Sequence, residues 1–270
     1  MIPKIIHYCW FGGNTLPELA IKCIESWKKF CPDYEIVRWD ETNFDIQCMP
    51  YVNEAYKAKK WAFVSDYARL KVVYDNGGIY LDTDVELIKP LDQLLDDECF
   101  FCSETDGYVN TGLGFGAEKG NSVIKLLLQE YSNRHFEKAR GIYDLTPCPA
   151  INSAPLIRMG YKFSDSQIWR TDEVAVYPPE YFCPLDYLTN EMKITENTVS
   201  IHLFSALWVS EQAIEIKKML DELSISSKGI FFLVKKQINL YRIAKKYGDC
   251  QNFLGYCVKK IWEKICNFTS

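Results

Sequence analysis

The stretch Trp61 to Pro90, WAFVSDYARLKVVYDNGGIYLDTDVELIKP, decides how the rest of the chain is read. From Ala62 to Tyr74 the apolar residues Phe63, Tyr67, Leu70 and Tyr74 recur at helical spacing, and Asn76-Gly77-Gly78 supplies the left-handed backbone that stops a helix. Ile79-Tyr80-Leu81 then suits a short buried strand, Asp82-Thr83-Asp84 ends it, and Val85 to Ile88 resumes an alternating pattern up to Pro90. Two carboxylates thus stand at the carboxyl end of a strand, the position where open α/β sheets bind ligands. Strand alternation puts Tyr80, Asp82 and Asp84 on one face. Neighbouring carboxylates repel unless a cation or a donor compensates, and hard oxygen ligands suit Mg²⁺ or Mn²⁺. On the preceding helix Asp66 and Arg69, three residues apart, share a face beside the apolar stripe and are expected to reach over the same crevice.

Singly these features are bland. D-x-D is common in surface turns, and a solvated i,i+3 ion pair adds little stability. Their fixed order, S-D-x-x-R followed by G-G-I-Y-L-D-x-D, is far more specific. In that order they resemble glycosyltransferase family 32, the D-x-D sugar transferases that include bacterial capsule and lipopolysaccharide enzymes and fungal initiating mannosyltransferases. The core is also similar to that of the clostridial glucosylating toxins. The resemblance implies an α/β fold of the GT-A nucleotide-sugar transferase type with a mainly parallel central sheet, a retaining reaction, and Mn²⁺ or Mg²⁺ held at Asp82 and Asp84. It implies catalytic roles for Asp66, Arg69, Asp82 and Asp84, with Asp66, Arg69, Gly78, Tyr80 and Asp82 contacting the substrate.

Outward from the centre, Ile5 to Cys9 reads as a first strand leading into Trp10-Phe11-Gly12-Gly13. Relatives of this kind begin with a similar I-H-x-x-W-x-G-G element, which implies that Trp10 stacks on the nucleotide base. Tyr8 shares the face of Trp10, and His7 points the other way as a hydrogen-bonded core histidine. Near the other end, His202, Ser205 and Trp208 form H-x-x-S-x-x-W, similar to the family's closing element; the resemblance implies that His202 reaches the metal and that Ser205 and Trp208 meet the donor. Asn152, read in a loop before a helix, is a further donor- or acceptor-contacting residue on the same grounds.

Between these points, Pro17 to Phe30 is a helix with Leu19, Cys23, Ile24 and Trp27 as its apolar stripe, and Tyr34 to Trp39 a second strand, giving a right-handed β-α-β start. A short helix is expected over Val52 to Lys59, strands over Cys99 to Ser103 and Gly112 to Ala117, and a helix over Asn121 to Tyr131. The glycines of GLGFGA allow close backbone approach.

The 270 residues, 48% hydrophobic, suffice for one large α/β core and a small appendage. No window approaches the roughly 18 apolar residues of a membrane span, and MIPKIIHYCW lacks the features of a signal peptide, so a cytoplasmic location is expected. The 11 cysteines lack paired metal spacing and read as reduced thiols. Net charge is −5, yet Lys228 to Ser270 carries nine Lys or Arg against Asp249 and Glu263, leaving −12 on the rest. So acidic a body excludes nucleic acid as partner. The basic amphipathic end is expected to form two helices that dock either on the body or on the anionic inner face of a membrane. The organisation expected is a catalytic domain over 1–210 and a helical extension over 211–270. The expected reaction is transfer of a UDP-linked hexose or N-acetylhexosamine to a hydroxyl of a bacterial surface polysaccharide or lipid-linked oligosaccharide. A toxin-like protein glycosyltransferase and a non-catalytic nucleotide-sugar binding module are the alternatives.

Overall fold

The computed structural model describes residues 1–185 and 191–205. Met1–Ser205 forms one compact unit; Trp208 and the expected helical extension lie outside the described residues. In chain order the elements are β1 (Ile5–Cys9), α1 (Glu18–Phe30), β2 (Glu35–Trp39), α2 (Pro50–Lys57), α3 (Trp61–Asn76), β3 (Gly78–Tyr80), β4 (Val85–Leu87), β5 (Cys99–Cys102), β6 (Phe115–Ala117), α4 (Ser122–Gln129), β7 (Glu137–Ala139), β8 (Ile142–Tyr143), α5 (Cys148–Arg158), β9 (Trp169–Arg170), β10 (Ala175–Tyr177), α6 (Pro179–Phe182) and β11 (Ser200–His202).

Seven strands make one sheet in the order β2-β1-β3-β6-β5-β10-β9. The expected β-α-β start is present, β1 pairing in parallel with both β2 and β3. β6 runs against β3 and β5, and β9 against β10, so the remaining five strands share one direction. The core lies in two clusters, one on each face. Val64 and Leu70 of α3, Leu127 of α4 and Leu156 of α5 pack with Tyr80, Phe101 and Phe115. Cys23 and Trp27 of α1 and Phe182 of α6 pack with Ile6, Ile79, Leu81 and Phe100. The result is the expected α/β architecture, helices on both faces of a mainly parallel sheet.

Some local readings change. α3 is buried on more than one side: Val64, Ala68, Val72 and Val73 join Phe63 and Leu70, while Tyr67 and Tyr74 stay partly exposed. Asp66 and Arg69 are therefore within the packed surface rather than beside it. In α1 the buried positions are Ala20, Cys23, Ile24 and Trp27, with Leu19 only partly covered. The strand expected from Gly112 begins at Phe115, and the loop expected around Asn152 is part of α5. Among the described residues no helix is long and apolar enough to cross a membrane, and the eight described cysteines are free thiols.

His7 is a core residue, as expected. The Trp39 indole N–H donates to Nδ1 at 3.0 Å, which leaves Nε2 to donate to the Gly77 carbonyl at 2.8 Å. Burial lowers its pKa, consistent with a neutral ring. Gly77 and Gly78 make the tight exit from α3 into β3 with φ of 71° and 106°. A Cβ at Gly78 would lie 2.8 Å from the Ile5 carbonyl oxygen and 2.9 Å from His7 Nε2. Gly78→Ala should therefore lower stability by about 2 kcal/mol or more, since a left-handed backbone and a backbone clash are imposed together. Urea unfolding checks this; a change under about 0.5 kcal/mol would show that the β1–β3 pairing yields without cost.

Candidate active site

Because β6 runs against β3, the segment leading into β6 crosses the point where β3 releases Asp82. The Asp82 backbone N–H donates to the Gly112 carbonyl at 3.3 Å. A Cβ at Gly112 would stand 2.4 Å from Asp82 Oδ2 and 3.2 Å from Arg69 Nη1, so only glycine lets this segment pass so near both charges. Asp82 Oδ1 accepts the Tyr80 hydroxyl at 2.8 Å and lies 3.6 Å from Arg69 Nη2. That same Nη2 pairs with Asp66 Oδ1 at 2.8 Å. Arg69 Nε donates to the Ser65 carbonyl at 3.1 Å, and the guanidinium lies 5.2 Å from the Tyr80 ring centre. Asp66 and Arg69 are only 6% and 4% exposed, so they form a charged floor beneath Asp82.

Asp84 is held from the other side. The backbone does not continue as a strand through Asp82: the Val85 N–H donates back to the Asp82 carbonyl at 3.0 Å, and the resulting turn swings Asp84 toward β11. β11 pairs antiparallel with β4 in a two-stranded ribbon, which sets His202 opposite Val85. The Leu203 N–H donates to the Asp84 carbonyl at 2.9 Å. His202 Nε2 is 3.3 Å from Asp84 Oδ1, and Asp84 Oδ2 accepts both the backbone N–H and the hydroxyl of Ser205, at 2.9 and 2.8 Å. Trp27 anchors the ribbon by donating its indole N–H to the Val85 carbonyl at 2.7 Å.

One ligand atom each from Asp82, Asp84 and His202 lie within 4.8 Å of one another. Two carboxylates and an imidazole suit Mn²⁺ or Mg²⁺, with room left for oxygen ligands from a substrate. The charge balance points the same way. Among the described residues, Asp66, Asp82, Asp84 and Glu104 are opposed only by Arg69 and, when protonated, His202. Burial, together with the Asp82 charge and against the pull of Arg69, raises the Asp66 carboxyl to about 6. Burial and the nearby Asp84 likewise push Asp82 upward despite Arg69. Asp84 goes the other way: burial would raise it, but His202 and the two Ser205 donors hold it far below the usual carboxylate range. Asp84 in turn outweighs the burial of His202 and raises the imidazole pKa.

The sequence-derived site is thus only partly assembled as expected. Asp66, Arg69, Asp82, Asp84, His202 and Ser205 converge. Ser205 spends both donors on Asp84, so in this state it positions a carboxylate rather than offering itself to a donor. Trp10 is half-buried beyond the end of β1, its indole N–H on the Asn14 carbonyl at 2.7 Å. Tyr8, 8% exposed, packs edge-on to Trp27 at 5.7 Å, on the α1 face with Trp10. Three assignments are corrected. Gly78 is buried at the amino end of β3, away from the crevice, and serves the turn described above. Tyr80 is 1% exposed and meets the site only through its hydroxyl on Asp82. Asn152 is fully buried in α5, its amide donating to the Thr111 hydroxyl at 2.9 Å. The sequence reading missed Asn110, which accepts the Gly112 N–H at 2.7 Å, and Cys148, whose thiol lies 3.9 Å from Arg69 Nη1. Neither stands in a recognisable spacing; only the glycines around Gly112 hinted at the close approach.

Together, the sheet and its carboxyl-edge D-x-D centre define an α/β protein with an acidic cluster at the carboxyl end of β3. Residues 17–101, which include Asp66, Arg69, Asp82 and Asp84, match the family described as "Glycosyltransferase sugar-binding region containing DXD motif". Over those residues the chain is similar to that family. It is 26% identical over 192 residues to inositol phosphoceramide mannosyltransferase 1 of Schizosaccharomyces pombe, covering 66% of this chain and 56% of the relative. Inositol phosphoceramide mannosyltransferase 3 of the same yeast is 30% identical over 159 residues, 54% of this chain and 43% of the relative. The chain thus spans about half the length of these curated relatives. Among solved structures, the PaToxG glycosyltransferase aligns at a TM-score of 0.45 with 19% identity, over 58% of this chain and 69% of its own.

Tyr80→Phe should weaken manganese binding by about 10- to 100-fold with little change in melting temperature, because it removes only the hydroxyl that orients Asp82. Titration by calorimetry decides; unchanged affinity would make that hydrogen bond idle. A second expectation concerns pH. In the metal-free protein the stabilisation from the His202–Asp84 pair is fully present between about pH 4 and 6.5, the ordinary carboxylate and imidazole values. It is lost as pH falls through the depressed pKa of Asp84 and as pH rises through the raised pKa of His202. A metal needs the neutral imidazole, so manganese affinity should rise with pH through the raised pKa of His202, and in His202→Ala this increment should vanish.

Proposed function

We propose that this chain is a metal-dependent, retaining glycosyltransferase that moves a hexose or N-acetylhexosamine from a nucleotide diphosphate sugar to a hydroxyl of a surface polysaccharide or lipid-linked oligosaccharide. The observation that carries the reading is the convergence of Asp82, Asp84 and His202 above the buried Asp66–Arg69 pair, with all of these but His202 inside the residues that match the D-x-D sugar-binding region. In transfer, the bond from the sugar's anomeric carbon to the diphosphate breaks and a bond to the acceptor oxygen forms, so negative charge grows on the leaving group. Asp82, Asp84 and His202 would hold a divalent cation, whose chemistry when bound is to neutralise that charge. Arg69 fixes Asp82 through charge, and Asp66 fixes Arg69. Ser205 keeps Asp84 ionised and oriented. Trp10, with Tyr8 behind it, offers its ring to the nucleotide base, and Trp208 covers the sugar from water.

The location proposed is cytoplasmic, with the basic end resting on an anionic membrane face, where each basic side chain contributes on the order of 1 kcal/mol. The names of the two fungal relatives favour a second choice of substrates, a mannosyl donor and a phosphoceramide acceptor.

A melting-temperature screen with manganese and UDP-glucose, UDP-galactose, UDP-N-acetylglucosamine or GDP-mannose separates these readings. A donor at a hundred times its dissociation constant stabilises by about 2.7 kcal/mol, and the stabilising donor should be turned over. Asp84→Asn should keep the fold and lose donor hydrolysis and transfer. Undiminished turnover by that variant in EDTA would sink the metal role, and binding without any turnover would favour the non-catalytic module.

A further inference from the structure

Beyond the Asp82, Asp84 and His202 cluster, the same edge of the sheet carries a second set of exposed groups. β5 leaves the sheet at Cys102 into the turn 103–110, which is closed by a bridge between Ser103 and Val109 and by the Glu104 N–H donating to the Tyr108 carbonyl at 2.8 Å. The turn is braced from α5 and the segment after it. The Val109 N–H donates to the Ser153 hydroxyl at 2.8 Å, and the Tyr161 hydroxyl donates to the Gly107 carbonyl at 3.2 Å. Phe163 packs so closely on Gly107 that a Cβ there would stand 2.8 Å from its ring.

A rigid turn of this kind would be expected to turn its large apolar side chains inward, yet Tyr108 and Phe163 are 45% and 42% exposed. Glu104 stands in the same turn, its N–H on the Tyr108 carbonyl and its charge acting on His202. Its Oε1 accepts the Asn110 side-chain amide at 2.6 Å, whereas Oε2 takes no hydrogen bond among the described residues. Asn110 then accepts the Gly112 N–H over Asp82, so Glu104 is coupled to the D-x-D centre through one side chain. Burial raises its pKa against the Asn110 hydrogen bond, and its charge acts on His202.

We propose that the turn 103–110 is the acceptor subsite, with Glu104 receiving a hydroxyl of the acceptor pyranose and Tyr108 and Phe163 covering its apolar C–H face. A pyranose presents flat C–H surface and hydroxyl donors together, which a carboxylate beside exposed aromatic rings matches and a nucleotide phosphate does not. The assignment rests on the transferase reading and adds to it the class of acceptor, a hexopyranoside, and the place where that acceptor sits.

Saturation-transfer NMR with methyl α-mannopyranoside, methyl β-galactopyranoside and methyl β-glucopyranoside tests it, on the full chain with Mg²⁺, with and without the nucleotide sugar that stabilises it. The expected result is ring-proton saturation of at least one pyranoside, weakened about tenfold by Tyr108→Ala and by Glu104→Gln, with melting temperature unchanged in both and nucleotide-sugar binding unchanged in Tyr108→Ala. Glu104→Gln keeps an acceptor for Asn110, so an effect of this variant isolates the charge. The proposal is overturned if the wild-type chain saturates none of the three sugars, or if Tyr108→Ala saturates them as the wild type does. Failure of the transferase reading is separate and visible in the donor arm, as the absence of stabilisation by every nucleotide sugar.

Discussion

The site depends on the placing of Arg69 between two carboxylates in a region almost closed to water. With Nη2 at 2.8 Å from Asp66 and 3.6 Å from Asp82, one guanidinium offsets two charges that burial would otherwise drive toward protonation. Such an arrangement contributes little net stability, because desolvating three charges costs about as much as their attraction returns. What it supplies is position. Arg69 is fixed by the Ser65 carbonyl one helical turn away, Tyr80 is fixed by the core, and Asp82 is fixed between them. The carboxylate is thus oriented without flexible surface groups, which would suit it to meet a cation.

The second constraint is the reversal of β6. A strand parallel to β3 at that place would bring its carboxyl end, and another long crossover, to the crevice. The antiparallel β6 instead brings its entry segment, Asn110 to Gly114, which is small enough to lie on Asp82. The turn 103–110 follows from the same event, since β5 and β6 are adjacent and antiparallel and their connection must pass over the site.

Much of this was legible in the sequence, for reasons that can be located. The helix stop at Gly77-Gly78 and the acid pair after β3 follow from local chemistry, and the order S-D-x-x-R before D-x-D identified the floor. His202 was legible only through its resemblance to a closing element; nothing in its own segment says that β11 will pair with β4. Alternation failed in an informative way. It joined Tyr80 to Asp82, where the hydrogen bond bears it out, but the chain turns at Thr83, so Asp84 reaches the cluster by a bend rather than by sharing a strand face. Gly78 and Asn152 were read as substrate contacts from the resemblance, while their burial depends on Ile5 and Thr111, which are distant in sequence.

The two sides of the metal cluster differ in how firmly they are built. Asp82 rests on α3 and β3, in the interior of a seven-stranded sheet. Asp84 and His202 rest on a two-stranded ribbon tied to α1 by hydrogen bonds from Trp27 to Val85 and from Leu87 to Ser26, and by Val85 and Leu87 buried in the same core cluster. Short ribbons are weak alone and borrow stability from packing, so the half of the cluster carrying His202 and Ser205 depends on that contact with α1. A cation held by Asp82, Asp84 and His202 would tie the ribbon to the sheet and would couple binding at the centre to order in β11.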